Sequence, residues 1–144
     1  MIIQIIGAAL GVIWGSVYLE APKKYLVYAG IVGGLGWTGY LIALESLDLV
    51  LSTFISGLII ATLSHALARM AKTPVTMFLI PGFLPLVPGV SLYHAVYEFM
   101  KGSALGNSYL LNTFQVAGMI ALSIFVVDSL VKMIDRPNKK KDVR

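Results

Sequence analysis

Three prolines inside one apolar stretch constrain this chain more than any other feature of its sequence. The stretch covers residues 77–100, and Pro81, Pro85 and Pro88 fall in its first half. Each proline lacks a backbone N–H and clashes with the carbonyl one turn earlier, so a straight helix cannot continue through residues 80–89. At membrane depth, such backbone is tolerated only where protein buries it or a watery cavity bathes it. The pattern predicts a broken membrane helix beside a cavity, where transporters commonly hold their substrates.

The composition places the chain in a membrane. Hydrophobic residues make up 58% of the 144 residues and charged residues only 12%, whereas a soluble domain is about half apolar and about a quarter charged. The mean hydropathy of +0.85 agrees. The absence of cysteine from the sequence excludes disulfides, thiolate metal sites and cysteine nucleophiles.

Five apolar segments are long enough to be considered as spans, since a helix needs about 20 apolar residues to cross the hydrocarbon. The predicted spans are residues 2–19, 26–44, 49–70, 76–100 and 109–134. The first is interpreted as a mature span rather than a signal peptide, because no basic leader precedes it. We therefore predict an all-α integral membrane protein, a bundle of about five transmembrane helices with the fourth broken by prolines. It forms one domain over residues 1–135, followed by a basic tail at 136–144.

The distribution of lysine and arginine predicts the orientation. Lys23 and Lys24 lie in the first connection and Arg69 and Lys72 in the third, whereas the second connection has no basic residue and the fourth only Lys101. Five further basic residues lie in the last nine. Since basic residues favour the cytoplasmic side, we expect the N-terminus outside and the C-terminus in the cytoplasm, in the inner or plasma membrane of the cell. A basic tail after an apolar helix is typical of a membrane surface, so the net charge of +4 does not indicate a nucleic-acid partner.

Glycines mark the predicted packing faces. Gly7, Gly11 and Gly15 lie on one face of the first helix, and the second helix has five glycines in ten residues, among them Gly30 and Gly34. Small residues let helix backbones approach closely in lipid, and a generic span would not carry the loss of helix propensity. We expect close packing here, within this chain or against another chain. A backbone that lines a pathway is a compatible alternative.

A new helix can start after the last proline, because proline suits the first helical position. The N–H groups of about Gly89, Val90 and Ser91 would then be unpaired and, with the helix dipole, suited to a carboxylate. The predicted substrate-binding residues surround this start: Pro85, Pro88, Gly89, Val90, Ser91, Tyr93 and His94. The alternative is a merely kinked span whose carbonyls are satisfied by neighbouring helices.

Three ionisable residues are candidates for proton coupling: His65, His94 and Glu98. A charged side chain is costly in lipid, which makes an intramembrane ionisable residue a functional candidate, and imidazole titrates near neutral pH. The structural alternatives are a neutral His65 bonded to a neighbouring helix, and a His94–Glu98 pair satisfied at the outer interface. Two such ligands without a third do not predict a metal site, and we expect no cofactor. Asp128 and Lys132, four residues apart, predict an interfacial ion pair.

Three segments together resemble a known family. They are AGIVGGLGW (29–37), STFISGLI (52–59) and TPVTMFLIPGFLPLVPGVSLYHAVY (73–97), and the most specific residues are Pro85, Pro88, Gly89, Ser91 and Tyr93. Their order resembles the small subunit of the two-component threonine/serine exporter family, a module that also forms the C-terminal half of one-chain exporters. The resemblance implies a secondary transporter for small carboxylate-bearing solutes, such as threonine, serine or a dicarboxylate like succinate. It also implies a separate large subunit.

We therefore expect a membrane subunit of an exporter, driven by the proton gradient and working with the large subunit. Five helices are few for two repeats that rock against each other, so the large subunit or a second copy of this chain is an expected partner. The alternative is a structural or assembly subunit that never contacts substrate. An intramembrane enzyme that uses His65, His94 and Glu98 is disfavoured, because their spacing matches no triad or metal cluster.

Overall fold

The computed structural model describes residues 1–135, and these residues form helices and short connections without a β-strand. The six α-helices are α1 (Ile2–Tyr18), α2 (Leu26–Leu44), α3 (Leu49–Ala71), α4 (Thr76–Phe83), α5 (Gly89–Met100) and α6 (Leu105–Asp135). Two 3₁₀ turns, Lys23–Tyr25 and Leu84–Leu86, precede α2 and follow α4. The predicted all-α bundle is confirmed. The predicted basic tail lies outside the described residues.

Three helices are long and apolar enough to cross a membrane: α2 with its preceding 3₁₀ turn, α3 and α6. The bent pair of Thr76–Leu86 and α5 makes a fourth if it is counted as one span. Helix α1 is apolar but has only 17 residues, which at about 1.5 Å per residue gives about 26 Å, less than the hydrocarbon thickness of about 30 Å. The predicted count of about five spans is therefore approximate.

The helices pack in a chain of neighbours. Helix α1 packs on α2, α2 on α3, α3 on α6 and α6 on α5, while α4 packs against both α2 and α3. The largest fully buried apolar side chains, which α1 to α4 contribute, are Val12, Val32, Ile60 and Phe78. The bend after α4 is thus held between the two central helices.

Glycines allow the central helices to approach closely. A Cβ on Gly33 would overlap Val12 of α1, and a Cβ on Gly36 would overlap Ile60 of α3. The predicted packing residue Gly34 also lies at the α1 contact, where an added Cβ would stand 3.2 Å from the Cβ of Ala9. Close contact of α2 with α1 and α3 therefore depends on glycine, which has no side chain, at these positions.

The other predicted packing glycines divide into two groups. Gly30 faces Ile13 of α1, and a Cβ on Gly15 would overlap Leu84 of the 3₁₀ turn. A Cβ on Gly7 or Gly11 would meet no atom within 4 Å among the described residues. The first half of the α1 glycine face is consequently exposed.

The proline-rich segment bends at a single place. Pro81 lies inside α4 and Pro85 lies in the 3₁₀ turn, so neither of them marks the change of direction. The chain turns where Val87 is extended, with ψ of 127°, and Pro88 precedes α5. The helical segments on the two sides meet at 48°. A proline near the end of a short helix costs few hydrogen bonds, which explains why α4 continues through Pro81.

Candidate functional site

A pocket of about 150 Å³ opens at the bend between α4 and α5. The bend contributes Pro85 and Pro88, and the first turn of α5 contributes Val90 and Ser91. Helices α2, α3 and α6 close the other sides with Trp37, Tyr40, Thr53 and Val116. The volume holds several water molecules and is therefore in the range of a small organic solute.

The start of α5 has backbone N–H groups without hydrogen-bond partners in the described part of the chain. The N–H of Gly89 donates to the carbonyl of Val87 at 2.8 Å, and the N–H of Leu92 donates to Pro88 at 3.0 Å. The prediction that the Gly89 N–H is unpaired is therefore wrong, because the extended Val87 brings its carbonyl back in a tight turn. Val87 and Pro88 accept no bond from Val90 or Ser91, and no side chain caps the helix. The N–H groups of Val90 and Ser91 are the ones left for a ligand.

Trp37 is a donor that the sequence interpretation missed. Its Nε1 atom is buried and has no hydrogen-bond partner within residues 1–135, although a buried indole N–H usually finds one. Its ring packs on Tyr40, with 4.9 Å between the ring centroids, and both side chains pack against the hydrophobic core. The structure places Trp37 at the pocket.

Three of the predicted substrate residues do not line the pocket. Tyr93 is exposed and stacks on Tyr97 at a centroid distance of 6.1 Å. His94 stacks on Tyr109 of α6 at 5.3 Å. Gly89 lies at the helix start without lining the cavity. Of the seven predicted residues, the structure brings together Pro85, Pro88, Val90 and Ser91.

The three predicted proton-coupling residues do not form one cluster. His65 lies twelve residues after Thr53 on α3, about 18 Å further along the helix, whereas His94 and Glu98 lie on α5. No hydrogen bond or ion pair joins His94 to Glu98 in the described part of the chain, so the expected mutual pairing is absent. Lys101 lies over the Tyr97 ring instead, with its Nζ 4.2 Å from the centroid.

A charged cluster joins α3 and α6 at the end of the bundle away from the pocket. The Nε2 of His65 lies 3.5 Å from Oδ1 of Asp128, and Nζ of Lys132 donates to Oδ2 of Asp128 at 2.6 Å. Arg69 donates to both carboxylate oxygens of Asp135 at 2.8 Å. The predicted Asp128–Lys132 pair is present. The contact of His65 with Asp128 joins residues far apart in sequence, and only the fold could show it.

Comparison with known proteins identifies the family. A sequence model described as "Threonine/Serine exporter, ThrE" matches residues 4–130, which include all of α2 to α5 and most of α1 and α6. No solved structure matches the chain. The family is one of exporters rather than enzymes, and together with the apolar helices it indicates a multi-pass membrane protein. Because the match covers most of the chain, this protein belongs to the threonine/serine exporter family.

Proposed function

We propose that this chain binds substrate as a membrane subunit of a secondary transporter that exports small carboxylate-bearing solutes. Threonine, serine and dicarboxylates such as succinate are the solutes to test. The observation that carries the proposal is the pocket at the bend, because its lining includes Val90, Ser91 and Trp37, whose N–H groups have no protein partner within residues 1–135.

The substrate carboxylate binds at the first turn of α5. The N–H groups of Val90 and Ser91 lie at the positive end of the helix dipole, which favours an anion. The Ser91 hydroxyl adds a donor from the same turn, and Nε1 of Trp37 adds one from α2. All of these groups donate, so they suit a carboxylate and not a cation.

An ammonium group, where the solute has one, binds to oxygen atoms of neutral groups. No charged side chain lines the pocket among the described residues. The Thr53 hydroxyl donates to the carbonyl of Leu49 at 2.8 Å, and its oxygen still has lone pairs to accept from an ammonium. The absence of a carboxylate from the lining explains how one pocket could take both an amino acid and a dicarboxylate.

Export is driven by the proton gradient and requires a large partner subunit. The sequence has no nucleotide-binding motif that would supply another energy source. Alternating access usually needs two helical repeats that move against each other, and six helices with at most four long spans are too few for that. The exposed face at Gly7 and Gly11 on α1 is a surface where the large subunit or a second copy could pack closely.

The rival function is that of an assembly subunit without substrate contact. The substrate-binding function and the assembly function can be distinguished by measuring export of labelled serine, threonine and succinate from cells that express this chain with its large partner. The Ser91→Leu variant fills the pocket, while Ser108→Leu, on the exposed start of α6, is the matched control.

We expect Ser91→Leu to abolish export while the complex still assembles, and Ser108→Leu to export normally. A protonophore should also stop export by the unaltered complex. Normal export by Ser91→Leu, or a loss that always accompanies loss of the complex, would favour the assembly subunit.

A further inference from the structure

We infer that His65 and Asp128 together form the proton-binding site of the transporter, an inference that rests on the proposed proton-driven export. The Nε2 atom of His65 on α3 lies 3.5 Å from Oδ1 of Asp128 on α6. His65 lies six residues before the end of α3 and Asp128 seven before the end of α6, which places both about 9–11 Å inside the helix ends. An ionisable residue within a membrane helix is a functional candidate, because its charged form is costly in lipid.

The geometry of Asp128 leaves one oxygen for the histidine. The Nζ of Lys132 donates to Oδ2 of Asp128 at 2.6 Å, so Oδ1 is the carboxylate oxygen that faces the imidazole. The His65 side chain is 14% exposed, which limits the water available to a charged ring. A protonated imidazole therefore places its positive charge beside Oδ1, whereas the ring without that proton is neutral there.

The proton changes how strongly α3 and α6 attract each other. With the proton bound, the contact between His65 and Asp128 is an ion pair, and without it the contact is between a neutral ring and a carboxylate. The same two helices line the substrate pocket further along, through Thr53 and Val116. Protonation at one end therefore biases the packing of two helices that also enclose the substrate.

A second observation concerns two buried hydroxyls near the pair. The Ser64 side chain is fully buried, and its hydroxyl has no hydrogen-bond partner within residues 1–135. The Thr73 hydroxyl is buried and unpaired in the same way. Buried polar groups without protein partners are commonly satisfied by water. Ser64 is the neighbour of His65 in the chain, and Thr73 lines the cavity around His65.

That cavity gives protons a route from the end of the bundle. It has a volume of about 490 Å³. Besides His65 and Asp128, its titratable and charged lining residues are Arg69, Lys72, Lys132 and Asp135. From the segment before α4 it is lined by Thr73, Pro74 and Val75, which carry no charge.

The remaining ionisable groups fit this role less well. Arg69 and Asp135 hold each other through two hydrogen bonds, and both side chains are more than half exposed, so solvent screens that pair. His94 is occupied by stacking on Tyr109. Asp135 therefore provides a matched control, as a second acidic residue on α6 that also faces α3.

The test compares two transport modes of the complete complex in proteoliposomes. Net export driven by an imposed pH gradient requires proton movement, whereas exchange of labelled for unlabelled solute at equal pH does not. The variants are His65→Gln and Asp128→Asn, with Asp128→Glu as the conservative variant and Asp135→Asn as the control.

We expect Asp128→Asn and His65→Gln to lose gradient-driven export at least tenfold while exchange stays within twofold of the unaltered complex. Asp128→Glu should restore part of the gradient-driven export, and Asp135→Asn should leave both modes within twofold. Gradient-driven export by Asp128→Asn within twofold, or equal loss of both modes in an assembled complex, would overturn the inference alone. Failure of the unaltered complex to transport any of the three solutes would overturn the proposed function as well.

Discussion

Three buried polar atoms that have no hydrogen-bond partner within residues 1–135 lie at or near the two sites proposed for this protein. They are Nε1 of Trp37 and the hydroxyls of Ser64 and Thr73. The first belongs to a residue that lines the pocket at the bend, and the other two lie beside or within the cavity around His65 and Asp128. A buried group without a partner costs about 1–3 kcal/mol, so each of these atoms has a physical reason to meet water or a ligand.

Removal of the indole N–H should weaken substrate binding without disturbing the fold. Trp37→Phe keeps an aromatic ring against Tyr40 but has no donor. A hydrogen bond to a charged group is worth about 1.5–3 kcal/mol, so we expect the solute concentration for half-maximal export to rise at least tenfold. The measurement is the concentration dependence of export by the complex.

Trp14→Phe is the control for this prediction, because Trp14 on α1 is 71% exposed. It should leave the half-maximal concentration unchanged. An unchanged value for Trp37→Phe as well would show that the indole N–H does not contact the solute.

The helices of the bundle were more predictable than their contacts. The prolines predicted that no straight helix runs through residues 80–89, and the structure bends there, but Pro81 remains inside α4. The four-residue spacing of glycines indicated packing faces, yet a Cβ on Gly15 would overlap Leu84 of the 3₁₀ turn, while a Cβ on Gly7 would meet no atom within 4 Å among the described residues. Sequence spacing identifies which residues share a face of a helix, whereas the partner of that face depends on the tertiary arrangement.

The candidate site shows the same limit. The start of α5 followed from Pro88 and the chemistry of helix ends. The contribution of Trp37 did not follow from the sequence, because α2 is apolar or glycine-rich on every side and its sequence gives no clear inner face. His65 and Asp128 are far apart in sequence, and the local spacing pointed only to the pair of Asp128 with Lys132. Local pairs are readable from spacing, and contacts between distant helices are not.

The contact between α1 and α2 should fail when a glycine gains a methyl group. In Gly33→Ala the new Cβ overlaps Val12 at a branched, stiff side chain, and overpacking of this kind costs about 1–3 kcal/mol. We expect the midpoint of thermal unfolding of the purified chain in detergent to fall. Gly7→Ala, where the new Cβ meets no atom within 4 Å, should leave the midpoint unchanged or raise it, because alanine favours the helix by about 0.8–1 kcal/mol. Equal effects of the two variants would contradict this account of the contact.

The basic residues of the described chain gather at one end of the bundle. Lys23 and Lys24 precede α2, Arg69 and Lys72 end α3, and Lys132 lies near the end of α6. Successive helices run in opposite directions when the bent pair of α4 and α5 is counted as one span, so these positions share an end, and Lys101 lies at the other. On this basis we propose that the cluster around His65 faces the cytoplasm and that the N-terminus faces outward.

Labelling of single cysteines can test this orientation, because the sequence has no cysteine of its own. A membrane-impermeant maleimide added to intact cells should label Lys101→Cys and should not label Lys24→Cys. Opened membranes should allow both to react. The reverse pattern in intact cells would contradict the proposed orientation.

The central claim is that a solute occupies the pocket at the bend. Protection of one introduced cysteine from a maleimide measures that occupancy. Both side chains are exposed on α5, but Val90 lines the pocket and Val96 does not. In the complete complex, saturating substrate should slow the reaction of Val90→Cys with a small maleimide at least fivefold and leave Val96→Cys unaffected. If a solute that the complex exports does not slow the reaction at Val90→Cys, the substrate does not bind at the start of α5.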